Sequence, residues 1–374
     1  MRKLRMGLIG GGPGAFIGPI HRLAAEMDGR IALVAGAFSS DPGRSRQGGV
    51  LYGIDPERAY PDHATMLAAE ARRADGIDMV AIVTPNHAHF AAAKAALDAG
   101  IAVMSDKPAT ATLAEARALG RIVAAADRPY ALTYTYSGYP LVREARARIA
   151  AGAIGRVRRV IVDYPQGWLS APVEQGDNKQ AAWRVDPARS GVGGCIGDIG
   201  VHAFQLAEFV TGLRVTGLLA DLGTMVAGRA LDDDVAVLLR LEGGVRGVLT
   251  ASQVATGERN GLTIRVYGEA AGLIWRQERP DRLDILHPDA RTETLWGGSG
   301  ALGSDGRRAS RTPGGHPEGY LEAFANLYRD FADLIQGGAA PLLPRIDTGI
   351  RSMAFIEAAV AASRDGAGWI TFEG

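Results

Sequence analysis

Residues 4–18 read Leu-Arg-Met-Gly-Leu-Ile-Gly-Gly-Gly-Pro-Gly-Ala-Phe-Ile-Gly, a short apolar run that breaks into glycines before a helical pattern begins near Pro19. Because glycine lacks a Cβ, the backbone of such a loop turns tightly and comes close to a phosphate group. A helix that starts directly after the loop adds unpaired N–H groups and the positive end of its dipole. The stretch therefore predicts a dinucleotide site. The expected contacts are Gly10, Gly12, Gly14, Ala15, Phe16 and Ile17.

Short apolar runs alternate with alanine-rich amphipathic runs over the first third of the chain. We predict strands at 4–9, 31–38, 79–83, 101–105 and 130–133, and helices at 87–99 and 113–126, the second capped by Thr112. Strands that are apolar throughout are typical of a sheet covered by helices on both faces. The pattern predicts an α/β fold in which residues 1–134 form a doubly wound parallel sheet of the Rossmann type.

The end of the second predicted strand leaves the choice of dinucleotide open. Residues 38–44 read Phe-Ser-Ser-Asp-Pro-Gly-Arg. An acid here often binds the ribose hydroxyls of NAD, which Asp41 suits, whereas small or basic residues accommodate the 2′-phosphate of NADP. Ser39, Ser40 and Arg44 suit that second role. Asp41 also suits the start of a helix that has Pro42 at its first position. We expect NAD, with NADP as the alternative.

The composition narrows the possible ligands and partners. Of 374 residues, 47% are hydrophobic, and 41 basic side chains balance 41 acidic ones. This length predicts two domains, and a chain without net charge does not attract nucleic acid or an anionic membrane from a distance. Cys195 is the single cysteine, and the N-terminal region has no apolar run long enough for a signal peptide or a membrane span. We expect a cytoplasmic protein that binds a small, mostly uncharged molecule.

Two further motifs follow predicted strands. Residues 84–89 read Thr-Pro-Asn-His-Ala-His, and residues 106–108 read Asp-Lys-Pro. Together with the glycine loop they resemble the glucose–fructose oxidoreductase, inositol dehydrogenase and MocA-like family, whose members usually read T-P-x-x-x-H and E-K-P. Asp106 stands where the family has glutamate, which shortens the side chain by one methylene. The resemblance implies that the cofactor is lined by Thr84, Asn86, His89, Asp106 and Lys107.

The resemblance extends along most of the chain. Trp183-Arg184 and the segment 193–202, Gly-Gly-Cys-Ile-Gly-Asp-Ile-Gly-Val-His, are similar to the family's W-R and G-G-x-x-x-D-x-G-x-H stretches. The family fold implies that residues 135–374 form a second α/β domain with a large, open, mainly antiparallel sheet, commonly used for dimer or tetramer contacts. Closely spaced strand-length runs agree with it, namely 215–225, 235–241, 245–252, 262–266 and 283–287. Residues 297–315 are rich in Gly, Ser and Arg, which predicts a mobile surface loop.

Three residues suit the chemistry that this resemblance implies, the oxidation of a hydroxyl with a nicotinamide cofactor. His202 suits the general base because its ordinary pKa lies near neutral pH. Asp198 lies four residues earlier, on the same face of a helix, and is expected to orient the histidine or bind a substrate hydroxyl. Lys107 is expected to bond the reacting oxygen. An alternative is that Asp198 caps the helix that runs to Phe209. The Asp-x-x-x-His spacing also suits a metal, but no third ligand cluster accompanies it, so we expect none.

Polyols and sugars need hydrogen-bonding side chains and an aromatic wall. Candidates for substrate binding, besides the three residues above, are Tyr136, Gln166, Trp168, Asn178, Gln180, Trp183, Arg184, His316 and Glu318. Glu318 also suits the start of a helix after Pro317. The overall similarity favours scyllo- or myo-inositol or L-glucose as the substrate. Three alternatives are an NADP-linked keto-sugar reductase, an NAD-using glycosidase and a sugar-sensing regulator without catalysis.

Overall fold

The computed structural model describes residues 2–366 and 368–374. The chain forms two compact units. One contains the residues up to Thr135 together with Phe324–Met353, and the other contains Tyr136–Ala323 together with Ala354–Gly374. Each unit therefore consists of two separate stretches of the chain. Among the described residues, no helix is long and apolar enough to cross a membrane.

The first unit is built on a parallel sheet of five strands in the order β2-β1-β3-β4-β5. The strands are β1 (Leu4–Gly10), β2 (Ile31–Ala37), β3 (Met79–Val83), β4 (Ala102–Ser105) and β5 (Tyr130–Leu132). The helices are α1 (Ile17–Glu26), α2 (Pro42–Tyr52), α3 (His63–Glu70), α4 (His89–Asp98) and α5 (Leu113–Ala125). Every residue of β3 and β4 is buried, as expected for central strands. The predicted α/β class and the parallel sheet are confirmed, and Thr112 caps α5 by accepting from the Glu115 amide.

The order of these strands positions a ligand site. It reverses between β1 and β3, and doubly wound sheets bind ligands outside the carboxyl ends of the strands at such a reversal. The glycine loop follows β1, and the segment that starts at Thr84 follows β3. Both motifs therefore lie at the edge of the sheet where a ligand is expected.

The second unit is built on a sheet of nine strands in the order β13-β12-β11-β10-β6-β9-β8-β7-β14, as far as the chain is described. All neighbours pair antiparallel except β6 with β9, which confirms the predicted large, mainly antiparallel sheet. The strands are β6 (Val157–Pro165), β7 (Val215–Gly223), β8 (Asp234–Leu241), β9 (Arg246–Ser252), β10 (Thr263–Gly268), β11 (Gly272–Arg276), β12 (Arg279–Leu286), β13 (Thr292–Trp296) and β14 (Ile370–Thr371).

The remaining helices carry the motifs of the second half. They are α6 (Pro140–Ala150), α7 (Lys179–Arg184), α8 (Pro187–Ser190), α9 (Val201–Thr211), α10 (Ser304–Ala309), α11 (Tyr320–Ile335) and α12 (Ile346–Arg364). A π-helix, Ile196–Gly200, runs directly into α9. Such π-helical turns occur frequently at functional sites. Asp198 lies in the π-helix and His202 in the first turn of α9.

The prediction of a plain loop over 297–315 is wrong in its middle. Helix α10 forms there, and its Gly306 and Ala309 are buried. Glu144 of α6 explains this order, because its carboxylate accepts a hydrogen bond of 2.8 Å from the Gly303 amide at the start of α10. A tertiary contact thus stabilises a helix that the Gly-rich composition does not predict.

Candidate active site

The glycine loop of the first unit has the backbone that its composition predicts. Gly10, Gly11 and Gly14 have φ angles of 91°, 75° and 83°, which residues with a Cβ rarely adopt. The Gly12 amide donates to the Phe38 carbonyl at 3.0 Å. A Cβ on Gly12 would lie 2.5 Å from that oxygen, so only glycine fits.

The start of α1 completes this loop. Gly18 packs so closely that an added Cβ would lie 2.6 Å from the Gly11 Cα, and the Tyr52 hydroxyl donates to the Gly11 carbonyl at 2.7 Å. Phe16, which precedes the helix, gives no side-chain cap to the first amides. A helix start without a side-chain cap beside a loop so rich in glycine fits a pyrophosphate, as a dinucleotide supplies.

The charged residues that follow β2 form contacts with the start of α2 and with the glycine loop. Asp41 caps α2, because its carboxylate accepts from the Arg44 amide at 2.7 Å, and Pro42 is the first helical residue. The Ser39 hydroxyl accepts from the Asp41 amide at 3.2 Å. The Arg44 guanidinium donates to the Pro13 carbonyl at 3.0 Å, which places it against the glycine loop. The helix-start role weighed for Asp41 is therefore observed, and Arg44 lies beside the dinucleotide loop.

His89 joins the two motif segments of the first unit. The ring is fully buried, with Nδ1 2.8 Å from the Pro108 carbonyl and Nε2 2.8 Å from the Thr84 carbonyl. Burial lowers the pKa of His89, against the opposing effect of the Pro108 carbonyl. The ring thus connects the segment that follows β3 with the segment that follows β4.

Asp106 holds the backbone at Lys107. One carboxylate oxygen, Oδ1, accepts from the Lys107 amide and from the Thr133 hydroxyl, both at 2.9 Å. Asp106, although shorter than the family's glutamate, therefore still forms polar contacts, and these fix the backbone where the Lys107-Pro108 segment begins. Lys107 itself is partly exposed.

A buried histidine of the first unit was not predicted. His21, on α1, lies with Nδ1 2.6 Å from the Tyr328 hydroxyl, and its ring meets the Phe324 ring edge-on at 4.8 Å. Burial lowers the pKa of His21 to about 4. The ring is therefore neutral at neutral pH.

In the second unit, Asp198 is a hydrogen-bonding centre and not a helix cap. Its Oδ2 accepts from Arg184 Nε at 3.1 Å and from Gln253 Nε2 at 2.8 Å. The capping alternative is wrong, because the carboxylate of Asp232 accepts from the amides that open the π-helix. His202, 9% exposed, lies edge-on to the Tyr136 ring with the ring centres 5.0 Å apart.

Neutral polar side chains form a chain of hydrogen bonds that starts at Tyr136. Its hydroxyl bonds the hydroxyl of Tyr164, which donates to Asn260 Oδ1 at 2.8 Å. Gln166 Nε2 donates to the same Asn260 oxygen at 2.7 Å, and Trp168 Nε1 donates to Gln166 Oε1 at 3.0 Å. Three of the predicted substrate residues therefore belong to one network.

Arg184 connects this aromatic region to Asp198. Its guanidinium lies 4.3 Å from the ring centre of Trp183 and 5.8 Å from that of Trp168, both distances typical of cation–π contacts. Gln180 Oε1 accepts from Arg184 at 2.9 Å. Asn178 has a different task, because its side chain caps α7.

His316 and Glu318 lie on a separate loop. Glu318 accepts from the backbone amides of Arg311 and Thr312, the second at 2.5 Å, and so holds the turn before it. The expectation that Glu318 starts the next helix is wrong, since α11 begins at Tyr320. His316 is exposed, and its carbonyl accepts from the Thr312 hydroxyl.

Tyr164, Asp232, Gln253 and Asn260 were missed by the sequence analysis. Each lies on a strand or a connection with no motif of its own, and each reaches the site through contacts between residues at least 28 positions apart. The alternating burial along β6 indicates only that Tyr164 faces inward.

Comparisons with known proteins match both halves of the chain. The family model described as "Oxidoreductase family, NAD-binding Rossmann fold" matches residues 4–134, and that described as "GFO/IDH/MocA C-terminal domain" matches residues 142–274. An uncharacterized oxidoreductase, YfiI, of Bacillus subtilis is 34% identical over all of this chain and 98% of its own length. Levoglucosan dehydrogenase of Pseudarthrobacter phenanthrenivorans is 29% identical over 76% of each chain.

A solved structure is also similar over its full length. The inositol dehydrogenase homolog of Azotobacter vinelandii, complexed with NAD+, is 40% identical, with a TM-score of 0.95 over 99% of this chain and 98% of that one. The same protein was solved with NADH and myo-inositol, with a TM-score of 0.92 and 39% identity. The glycine loop, the parallel sheet and these matches lead to one conclusion: the chain belongs to the Gfo/Idh/MocA family of NAD-binding oxidoreductases.

Proposed function

We propose that the protein is a dehydrogenase of neutral cyclic polyols or sugars, such as scyllo- or myo-inositol or L-glucose. It would oxidise a secondary or anomeric hydroxyl with NAD. The observation that carries this proposal is the site in the second unit, where Asp198 and His202 share one helix end beside a network of neutral hydrogen-bonding groups.

The charges of this site favour a neutral substrate. Arg184 is paired with Asp198 at 3.1 Å, so its charge is already balanced. The neighbouring side chains of Tyr164, Gln166 and Asn260 are uncharged and match hydroxyl groups as donors and acceptors. The indole of Trp168 offers an apolar face for the C–H side of a ring. A phosphorylated or acidic sugar would have to compete with Asp198 for Arg184.

Each catalytic residue has a separate task. His202 takes the proton of the reacting hydroxyl, since an imidazole accepts a proton near neutral pH. Lys107 donates a hydrogen bond to the same oxygen as negative charge develops on it. Asp198 binds an adjacent hydroxyl and orients the base. Bound NAD supplies the hydride acceptor.

The substrates of similar proteins support this class. The homolog of Azotobacter vinelandii was solved with myo-inositol, and a second relative is a levoglucosan dehydrogenase. Both ligands are cyclic, neutral and rich in hydroxyls. The test is a screen of the purified protein against inositols and aldoses with NAD and with NADP, followed by absorbance of the reduced nicotinamide. Tight cofactor binding with no turnover of any polyol would refute the proposal.

Two substitutions test the assigned roles. Lys107→Ala and His202→Ala should each lower kcat by roughly 10²- to 10⁴-fold and leave the Kd for NAD largely unchanged. Lys94→Ala and His287→Ala are matched controls, because these side chains contact Asp98 and Glu293 away from the motif segments. If Lys107→Ala and His202→Ala both remain active, the proton-transfer assignment is wrong.

One alternative has a specific observation in its favour. Arg44 lies against the glycine loop, beside Ser39 and Ser40, where it suits the 2′-phosphate of NADP. A higher kcat/KM with NADPH and a keto-sugar than with NAD and a polyol would establish this NADP-linked reductase. An NAD-using glycosidase would instead retain its cofactor without net turnover, and a regulator would bind sugar without catalysis.

We also propose that the open face of the large sheet pairs with a second copy of the chain. The strand register aligns Leu219, Leu238, Val248 and Ile161 in one row across β7, β8, β9 and β6. All four are at least partly exposed, whereas their chain neighbours Val237, Leu239, Leu249 and Val160 are buried on the opposite face. An apolar row on an exposed sheet is typical of an interface in a dimer or tetramer.

A further inference from the structure

Three consecutive backbone amides open the π-helix, and all three donate to one distant residue. The Gly194 amide donates to Asp232 Oδ1 at 2.7 Å, and the Ile196 amide donates to Asp232 Oδ2 at 2.7 Å. The Cys195 amide between them donates to the Asp232 carbonyl oxygen at 2.8 Å. Asp232 therefore supplies the cap that no residue of the helix itself provides.

The approach is too close for any other residue at position 194. A Cβ on Gly194 would lie 2.2 Å from the Asp232 carbonyl oxygen. The carboxylate and the carbonyl of Asp232 thus fix the helix start in both direction and register. Because helical turns are rigid, this also fixes the side chains four and eight residues after Gly194, Asp198 and His202.

The next residue extends the same support to Asp198 from another side. The Asp233 carbonyl accepts from the Gln253 amide at 2.9 Å, and the Gln253 side chain donates to Asp198 at 2.8 Å. The Asp233 carboxylate accepts from the Met225 and Val226 amides and pairs with Arg229, which anchors this stretch. Asp198 is therefore positioned in two ways. The cap at the helix start fixes its backbone, and the hydrogen bond from Gln253 fixes its carboxylate.

The Asp232 carboxylate is costly to keep ionised in the folded chain. Burial raises the pKa of Asp232 to about 6, although two amides stabilise its charge. The Asp233 carboxylate also raises the pKa of Asp232, and the carboxylates of Asp232, Asp198, Asp234 and Asp233 all raise the pKa of the buried Cys195 thiol. Near neutral pH, keeping this group ionised in the folded chain therefore costs part of the free energy of folding. A group that is costly to keep ionised and caps the helix of Asp198 and His202 points to a task in catalysis.

We propose that Asp232 is a positioning residue that sets the placement of Asp198 and His202 by capping their helix. The proposal rests on the proposed function, since it assumes that His202 is the base. It adds a residue that touches neither substrate nor cofactor.

The test is Asp232→Asn in the full chain. Asparagine offers one acceptor where the carboxylate offers two, so one of the Gly194 and Ile196 amides loses its partner. We expect kcat to fall at least about tenfold, while KM and the Kd for NAD change less than about threefold and the Tm at pH 8 does not fall. Asp234→Asn is the matched control, because it removes the same charge two residues away on β8 and should keep kcat. A lower Tm with an unchanged kcat would mean a purely structural role and would overturn the proposal.

Two further measurements separate the possible failures. Gly194→Ala, which displaces Asp232 without removing its charge, should lower kcat in the same way. Hydrogen exchange of residues 194–203 should be faster in Asp232→Asn than in Asp234→Asn, a readout that needs no substrate. If exchange is equal in the two variants, the cap is wrong. If His202→Ala keeps full activity in the same assay, the proposed function fails and not the cap.

Discussion

His21 shows how one buried side chain makes stability depend on pH. The unfolded chain protonates this histidine near its ordinary pKa of 6.5, whereas the folded chain does so only near pH 4. Because the folded pKa is lowered, its contribution to stability is fully present above pH 6.5 and is lost as the pH falls toward 4. At about 1.4 kcal/mol for each pH unit, the loss is roughly 3 kcal/mol.

His21→Gln removes this titration. We expect the free energy of unfolding of this variant to change less between pH 7 and pH 4.5 than that of the wild type, by roughly 2–3 kcal/mol. Urea unfolding followed by circular dichroism at several pH values measures it. His63→Gln, at the start of α3, is the control and should keep the wild-type slope. An unchanged slope in His21→Gln would show that His21 does not titrate in this way.

Among single residues, side chains that lie in motifs are recognisable from the sequence, whereas those that act across the fold are not. Lys107, Asp198 and His202 stand in short recognisable stretches. Asp232 and Gln253 do not, because their partners Gly194 and Asp198 lie 38 and 55 residues away. The sequence offered two roles for Asp41 but did not decide between them, and the bond from the Arg44 amide shows the helix cap.

Among the elements, the glycine loop allows a test of cofactor affinity. Gly12→Ala would bring a Cβ to 2.5 Å from the Phe38 carbonyl and push the loop outward. Overpacking of this kind costs about 1–3 kcal/mol, so we expect the Kd for NAD to rise roughly 5- to 150-fold. Quenching or energy transfer from bound NADH measures it.

The control for this loop is another crowded glycine of the same unit. A Cβ on Gly120 would lie 2.7 Å from Ile350 Cδ1, on α5 and away from the loop. Gly120→Ala should lower the Tm but leave the Kd for NAD within about twofold. Equal losses of affinity in the two variants would show that general destabilisation, and not the loop, weakens binding.

The elements also show why some boundaries are predictable. All five strands of the parallel sheet begin and end within about a residue of their predicted positions, because they are buried, apolar and bounded by polar turns. In the second unit, β6, β11 and β13 were not predicted as strands, and α10 lay in a predicted loop. β11, β13 and α10 are short, and α10 depends on its contact with Glu144, which local composition does not reveal.

For the whole molecule, the open sheet predicts how copies associate. Leu238 is 44% exposed in the middle of the apolar row. Leu238→Lys would place a charge there, and we expect the assembly to dissociate toward the monomer, measured by size-exclusion chromatography with light scattering. Leu23→Lys is the control, because Leu23 is 53% exposed on α1 and lies outside the row. An oligomer that survives Leu238→Lys would place the interface elsewhere.

The parts of the chain that build each unit were not visible in any local pattern. Phe324–Met353 belong with the first unit through contacts such as His21 with Tyr328 and the Leu132 amide with the Pro344 carbonyl. Hydrophobic periodicity indicates which face of a helix is buried, but it does not indicate the sheet against which that face packs.

This division of the chain has a consequence for its synthesis. The first unit needs Phe324–Met353, which leave the ribosome long after Thr135. At usual elongation rates the interval is on the order of ten seconds or more, during which the pocket for Tyr328 around His21 stays open. Until that segment is made, after most of the second unit, the first unit is incomplete and part of its apolar surface stays exposed. Newly made chains should for that reason depend on chaperones more than refolding full-length chains do.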